Sequence, residues 1–154
     1  MNKIVCYFSC SGITRSVAGM ISNTLNTDIF EIEPSIPYTS KDLDWTNKNS
    51  RTSIEMNDKS SRPSIKSSGD ISKYDVVIIG FPVWWYTAPT IINTFIEANN
   101  FDSKRVYIFV TSGSSSVDSS FNDLKEKYPN INFISARRFT SGVSREDILS
   151  WIND

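Results

Sequence analysis

The chain has 154 residues, of which 39% are hydrophobic, and a formal net charge of -1 from 16 basic and 17 acidic residues. That length suits one globular domain that buries its own core, and the mixed charge leaves no electrostatic footprint for nucleic acid or an anionic membrane. There is no histidine, which excludes Ser-His-Asp triads, Cys-His pairs and imidazole metal sites, and the two cysteines, Cys6 and Cys10, cannot build a disulfide framework or a zinc site. Without a signal-peptide pattern or an apolar run near 18 residues, a cytoplasmic location is expected.

Residues 3 to 8, "KIVCYF", read as a buried strand, and the segment from Thr14 places Val17, Met20, Ile21 and Leu25 along one helical stripe. Residues 28 to 33 alternate, with Phe30 and Ile32 on one face and Glu31 and Glu33 on the other, as in an edge strand half open to water. Residues 34 to 70 are rich in Ser, Asn, Asp and Lys, with scattered apolar residues such as Tyr38 and Trp45. This is a long excursion, expected to hold at most one poor helix between Lys41 and Met56, and long ordered loops of this kind are often lids. "DVVIIGF", Asp75 to Phe81, has the unbroken β-branched pattern of a central parallel strand. A helix follows Pro89 with Ile91, Ile92, Phe95 and Ile96 on one side, then a strand at Arg105 to Val110. The next helix carries Val117, Phe121, Leu124 and Tyr128 and stops at Pro129; a fifth strand is expected at Ile131 to Ile134, with Arg137 and Arg138 as a solvated strand end. Ser144 opens the last helix with Asp147 three residues on, and Val143 can pack on Ile148.

Strands alternating with helices predict an α/β fold, a doubly wound parallel sheet in three layers, in which ligands bind beyond the carboxyl ends of the strands. Three strand ends are chemically unusual: "SCSGIT" after the first, "FPVWWYTAP" after the third and "TSGSSS" after the fourth. The first opens a helix, so its amides and the helix dipole favour an anion; Ser9, Ser11 and Thr14 add hydroxyls and Gly12 lets backbone approach closely. A capping serine beside a turn glycine would explain the same letters structurally. A Walker loop is excluded for lack of lysine, and a dinucleotide fingerprint because Gly12 stands alone. The low-molecular-weight tyrosine phosphatase loop, Cys-x5-Arg-Ser, remains a remote alternative, since Cys10 to Ser16 is one residue short of it. The second loop offers Trp84, Trp85 and Tyr86 as flat walls between two prolines, and the third offers amides for the polar rim of a ring. Phosphate, planar rings and a hydrogen-bonding rim together describe flavin mononucleotide, FMN.

The chain resembles the flavodoxin-like proteins over its whole length, in particular a short subgroup with "PxWW" and "TSG" loops. The family's phosphate loop, [ST]-x-T-G-[NF]-T, is matched by Ser9, Cys10, Ser11, Gly12, Ile13 and Thr14, with Ile13 departing from the usual asparagine. The resemblance implies the strand order 2-1-3-4-5, one domain over 1-154, and FMN as cofactor. It places the phosphate on Ser9, Ser11, Gly12, Ile13 and Thr14, the ring against Pro82, Val83, Trp84, Trp85 and Tyr86, and the pyrimidine edge against Thr111, Ser112, Gly113 and Ser114. Flavodoxin is itself among the folds behind the crevice rule, so that placement is not independent of the resemblance. No catalytic side chain and no metal is implied. An electron carrier serving redox partner proteins and an NAD(P)H:quinone-type oxidoreductase with a small-molecule acceptor both stay open, the carrier being preferred.

Overall fold

The computed structural model describes residues 1–112 and 116–152. Five strands, β1 (Lys3–Tyr7), β2 (Asp28–Glu31), β3 (Val76–Pro82), β4 (Arg105–Thr111) and β5 (Asn132–Phe139), form one sheet in the order β2-β1-β3-β4-β5. Every neighbouring pair is parallel, so each connection must cross a face of the sheet, and the helices do so. These are α1 (Ile13–Leu25), α2 (Arg51–Asn57), α3 (Thr90–Glu97), α4 (Val117–Lys127) and α5 (Arg145–Trp151).

The two-residue period of the strands divides the core into two. Ile4, Cys6 and Phe8, with Val77, Ile79, Phe81, Val106, Ile108 and Val110, face one layer, where Ile91, Ile92 and Phe95 of α3 and Leu124 of α4 cover them. Val5, Tyr7, Val76, Ile78, Tyr107 and Phe109 face the other, under Val17 and Ile21 of α1 and Ile148 and Trp151 of α5. Burial on both sides is why β3 reads as an uninterrupted apolar run. Gly80 is the one gap in it, and the Phe109 ring of the paired residue on β4 fills the space: a Cβ on Gly80 would fall 1.9 Å from that ring.

Three local expectations change. Met20 is 43% exposed, since the apolar stripe of α1 is narrower than its spacing suggests and rests on Val17, Ala18 and Ile21. The fifth strand runs to Phe139, so Arg137 and Arg138 lie inside it; an edge strand tolerates such polar positions, which hid its length. Within the excursion the helix is confined to Arg51–Asn57, capped by the Ser50 hydroxyl accepting from the Ser53 amide, and turns precede it. At α5 the capping box of Ser144 and Asp147 is present, and Val143 packs against the cluster that contains Ile148.

Candidate functional site

The loop after β1 ends at Gly12, whose φ of 91° places it in the left-handed region, and as the N-cap of α1 this glycine offers no capping side chain of its own. The first-turn amides of Ile13 and Thr14 have no intrahelical partner, as at any helix start, and the positive end of the dipole lies with them. The Ser9 Oγ accepts from the amides of Gly12, at 3.2 Å, and Arg15, at 3.3 Å, which draws the loop into a turn over the helix end. Ser11, Gly12 and Ile13 are exposed, whereas Thr14 is buried.

Arg15, the arginine of the loop, is turned away: its guanidinium pairs with Glu31 of β2 at 2.8 Å. The loop's anion-binding capacity therefore rests on amides and hydroxyls. A phosphatase-type role for this loop would need a reactive thiolate at Cys10, but although Cys10 reaches the surface, the protein packed around its sulfur pushes its pKa up to about 11; Arg51 offsets this only in part. With Arg15 held by Glu31 as well, Cys10 and Arg15 do not form the thiolate–guanidinium pair that ester cleavage needs.

Three contacts join the carboxyl ends of β1, β3 and β4. Thr14 and Thr111 share a buried hydroxyl bond of 2.7 Å, which ties the first loop to the end of β4. The Val83 amide donates to the Thr111 carbonyl at 3.3 Å, which ties the second loop to the same strand end. Phe8, just before the first loop, meets Trp84 edge-to-face at 5.5 Å. Pro82, at the end of β3, is paired in register with Thr111.

The aromatic triplet divides in two. Trp84 is half-buried and packs on Phe8 and on Tyr38 of the excursion. Trp85 and Tyr86 are 42% and 72% exposed and have φ of 47° and 63°, both in the left-handed region. Trp84 and Thr87 exchange two backbone hydrogen bonds of 3.0 Å around them, so the pair occupies the tip of a tight turn of the type I′ kind, a place usually given to Asn-Gly. Of the third loop, Thr111 is buried and Ser112 partly so; Gly113 and Ser114 lie outside the described residues.

A family model described as Flavodoxin matches residues 2–154. The chain belongs to the flavodoxin family. A flavoprotein candidate from Bacteroides eggerthii is similar over 99% of this chain and 96% of its own, with 44% identity and a TM-score of 0.96. One from Bacteroides uniformis, also 44% identical, covers 99% and 98% with a TM-score of 0.94. A Lactobacillus acidophilus flavoprotein solved in complex with FMN shares the fold at 22% identity, TM-score 0.75, over 89% of this chain and 92% of its own. No curated protein matches the sequence.

Set on the flavodoxin frame, two further features stand out that the motifs did not show. The excursion reaches the crevice through Tyr38, whose ring lies edge-on to Phe8 at 5.8 Å and to Trp84 at 5.5 Å, while its hydroxyl donates to Glu55 at 2.5 Å. Burial, then the Glu55 hydrogen bond, pushes the Tyr38 pKa far above that of a free tyrosine. The Arg51 guanidinium stacks on the same ring at 3.7 Å, bonds Glu55 at 3.0 Å and donates to the Ile36 carbonyl at 2.7 Å. Arg51 and Glu55 stand four apart on α2, a helical ion-pair spacing that is the one sequence signal for this knot. Trp45, by contrast, is 73% exposed and covers nothing in the crevice. The second feature is Arg138, which donates to the Ser112 carbonyl at 2.9 Å and so braces the third loop from β5. Arg137, pointing to the opposite face, reaches Asp147 and Ser150 on α5. Alternation along β5 would have separated the two arginines had the strand been drawn to its full length.

Among the described residues no group of acidic, cysteine or histidine side chains could hold a metal ion, and no helix is long and apolar enough to cross a membrane.

Proposed function

We propose that this flavodoxin-family protein binds FMN in the crevice at the carboxyl ends of β1, β3 and β4 and serves as an electron carrier between redox partners. The observation that carries the reading is the closure of the three loops on one another through Thr14–Thr111, Val83–Thr111 and Phe8–Trp84. The residues present fit the cofactor: uncapped amides at the start of α1 suit a phosphate dianion, and the loops ending β3 and β4 offer an aromatic wall and a polar rim. Ser9, Ser11, Gly12, Ile13 and Thr14 would hold the phosphate; Pro82 to Trp84, with Trp85 and Tyr86 at the rim, would flank the ring; Thr111 to Ser114 would meet its pyrimidine edge. The Lactobacillus acidophilus flavoprotein solved with FMN supports the same choice of cofactor.

When bound, FMN supplies the redox chemistry, and the chain's part is to hold, orient and shield it. The carrier reading is favoured because the sequence has no nicotinamide fingerprint and because Tyr38 of the excursion packs on Trp84 of the second loop, where it would narrow the approach of a nicotinamide. A soluble oxidoreductase needs that approach.

The test is to load the purified protein with FMN and mix it anaerobically with NADPH or NADH. A carrier keeps its flavin absorption for minutes and loses it once a separate flavodoxin reductase is added. Rapid bleaching by either nucleotide alone would overturn the carrier reading in favour of the oxidoreductase, and failure to take up FMN at all would overturn both.

A further inference from the structure

Beside the crevice, on the side of α3 and α4, lies a second cavity of about 560 Å³, within the range that suits a small organic ligand. It is lined by the Trp85–Thr87 turn, by Thr90 and Asn93 of α3, by residues of α4 between Ser119 and Lys127, and by Met56 and Lys59 of the excursion. No residue of the Ser9–Thr14 loop lines it, nor do Thr111 and Ser112, so it shares only the Trp85–Tyr86 turn with the proposed flavin site.

Three properties of the cavity constrain what it takes. Its formal charges cancel, with Lys59 and Lys127 against Asp123 and Glu126, and Asp123 is already engaged by the Thr87 hydroxyl at 2.7 Å, so an uncharged ligand is suited. Its lining includes two aromatic rings held out on a turn whose two positive φ values are unfavourable for side chains of that size, a strain that persists where surrounding structure or function demands it. With the Met56 thioether also among the lining groups, the cavity suits a flat aromatic ring. Finally, Thr90 is 6% exposed and contributes to the wall, yet its Oγ1 is buried without a hydrogen-bond partner. A buried hydroxyl left unpaired is unfavourable, and because Thr90 itself lines the cavity, another χ1 rotamer is the route by which the hydroxyl could reach a ligand oxygen.

We propose that this cavity is a binding site for an uncharged planar aromatic compound bearing a ring carbonyl, seated against Trp85 and Tyr86 with its carbonyl oxygen on the Thr90 hydroxyl. The site shares the Trp85–Tyr86 turn with the proposed flavin site but does not rest on FMN being bound.

The probe is 2,3-dimethyl-1,4-naphthoquinone, whose blocked ring positions cannot alkylate Cys10, with 2,3-dimethylnaphthalene as the same rings without carbonyls. Amide chemical-shift titrations are run on the protein with and without FMN. Shifts centred on residues 85–93 and 119–127 are expected in both forms. Thr90→Val should leave the melting temperature unchanged or raised, since it removes an unpaired hydroxyl, while weakening the naphthoquinone about threefold to tenfold and the hydrocarbon not at all. Thr90→Ser should restore the affinity. Naphthoquinone binding that FMN abolishes would assign the probe to the flavin crevice and overturn the proposal, as would a Thr90→Val effect equal for both probes or absent for both. A protein that refuses FMN but still shows the Thr90-dependent response would leave this site standing and remove the flavin reading alone.

Discussion

The sheet and the excursion are built on different physics. Residues of β1, β3 and β4 are buried on both faces, and their energy comes from apolar area removed from water. The excursion instead holds itself by short polar turns. Asp42 and Thr39 bond each other's backbone, Asp44 accepts from Thr46 and Asp58 from Ser60, and these hydrogen bonds hold the Asp42 and Asp58 carboxyls below the usual carboxylate range. Its hold on the body of the protein near the site is the Tyr38–Arg51–Glu55 knot against Phe8 and Trp84. Each suits a different role: a sheet buried on both faces holds the loops at its strand ends in place, while an excursion held by exposed polar turns is where local opening would come first.

The sharpest way to break the sheet is at Gly80. A valine there would drive its side chain into the Phe109 ring, which is fully buried between β4 and the α1/α5 layer and cannot step aside. Overpacking of this kind costs about 3 kcal/mol or more, a large part of a domain's stability. Chemical denaturation should show an unfolding free energy lowered by that amount, read as an earlier midpoint at unchanged slope, or an insoluble product. A Gly80→Val protein of ordinary stability would mean that the Phe109 ring is not locked.

Ser11→Asp sets the loop against the sheet, since it should spare folding and damage binding. Ser11 is exposed at the open side of the loop, so the added carboxylate would face the phosphate with no cation to offset it, Arg15 being held by Glu31. Losing a charge-assisted hydrogen bond of about 1.5 to 3 kcal/mol weakens FMN roughly tenfold to a hundredfold. Riboflavin, which lacks the phosphate, should change far less in the same fluorescence titration. Equal losses for both ligands would remove the phosphate from this loop.

The same contrast explains what could be read from the letters. The alternation of strands and helices, with helices on both faces of the sheet, was legible because period-two and period-3.6 patterns of apolar residues are the direct imprint of burial, whereas the strand order was implied by the resemblance to the flavodoxin-like proteins. The length of β5 was not legible, because "SARRF" on an edge strand carries arginines that pair outward and shows no apolar run. The division of the aromatic triplet was also hidden. Trp84 turns inward and Trp85 outward because a tight turn with two positive φ angles separates them, and nothing in Trp-Tyr signals such a turn. The knot at Tyr38 was opaque for a further reason: it joins residues 17 apart in a region whose composition promises only loop.

That turn supplies a third test, of intermediate size. Replacing Trp85 and Tyr86 by Asn and Gly gives the two central positions the residues they favour, and relief of left-handed strain at bulky residues should raise stability by about 1 to 2 kcal/mol. The gain should come with loss of the ring wall, so that naphthoquinone and FMN both bind more weakly. Higher stability with undiminished binding would mean that the rings serve neither ligand.

The smallest effect expected is at the knot, and it is the one that reports on the excursion itself. Arg51→Leu removes the guanidinium stacked on Tyr38, the ion pair to Glu55 and the bond to the Ile36 carbonyl; with Arg51 and Glu55 both partly buried, about 1 to 2 kcal/mol of local stability is at stake. Global unfolding should barely move, because the sheet does not depend on these contacts. Cys10 gives the readout. Its thiol is held near a pKa of about 11 by the protein around it, against an ordinary value near 8.5, so the reactive thiolate is a small fraction at pH 8 and grows about tenfold per pH unit until pH 11. In the parent protein, alkylation by iodoacetamide should therefore be slow at pH 8 and rise steeply across that range. If the excursion is what surrounds the sulfur, Arg51→Leu should speed alkylation at pH 8 by up to about a hundredfold and shift the midpoint of the rate profile towards the ordinary thiol value. Loss of the Arg51 charge by itself acts in the opposite direction, raising the thiol further and slowing the reaction. The sign of the change thus separates an excursion that opens from one that stays in place: faster alkylation means that the knot holds the cover down, and slower alkylation means that the cover remains seated without it.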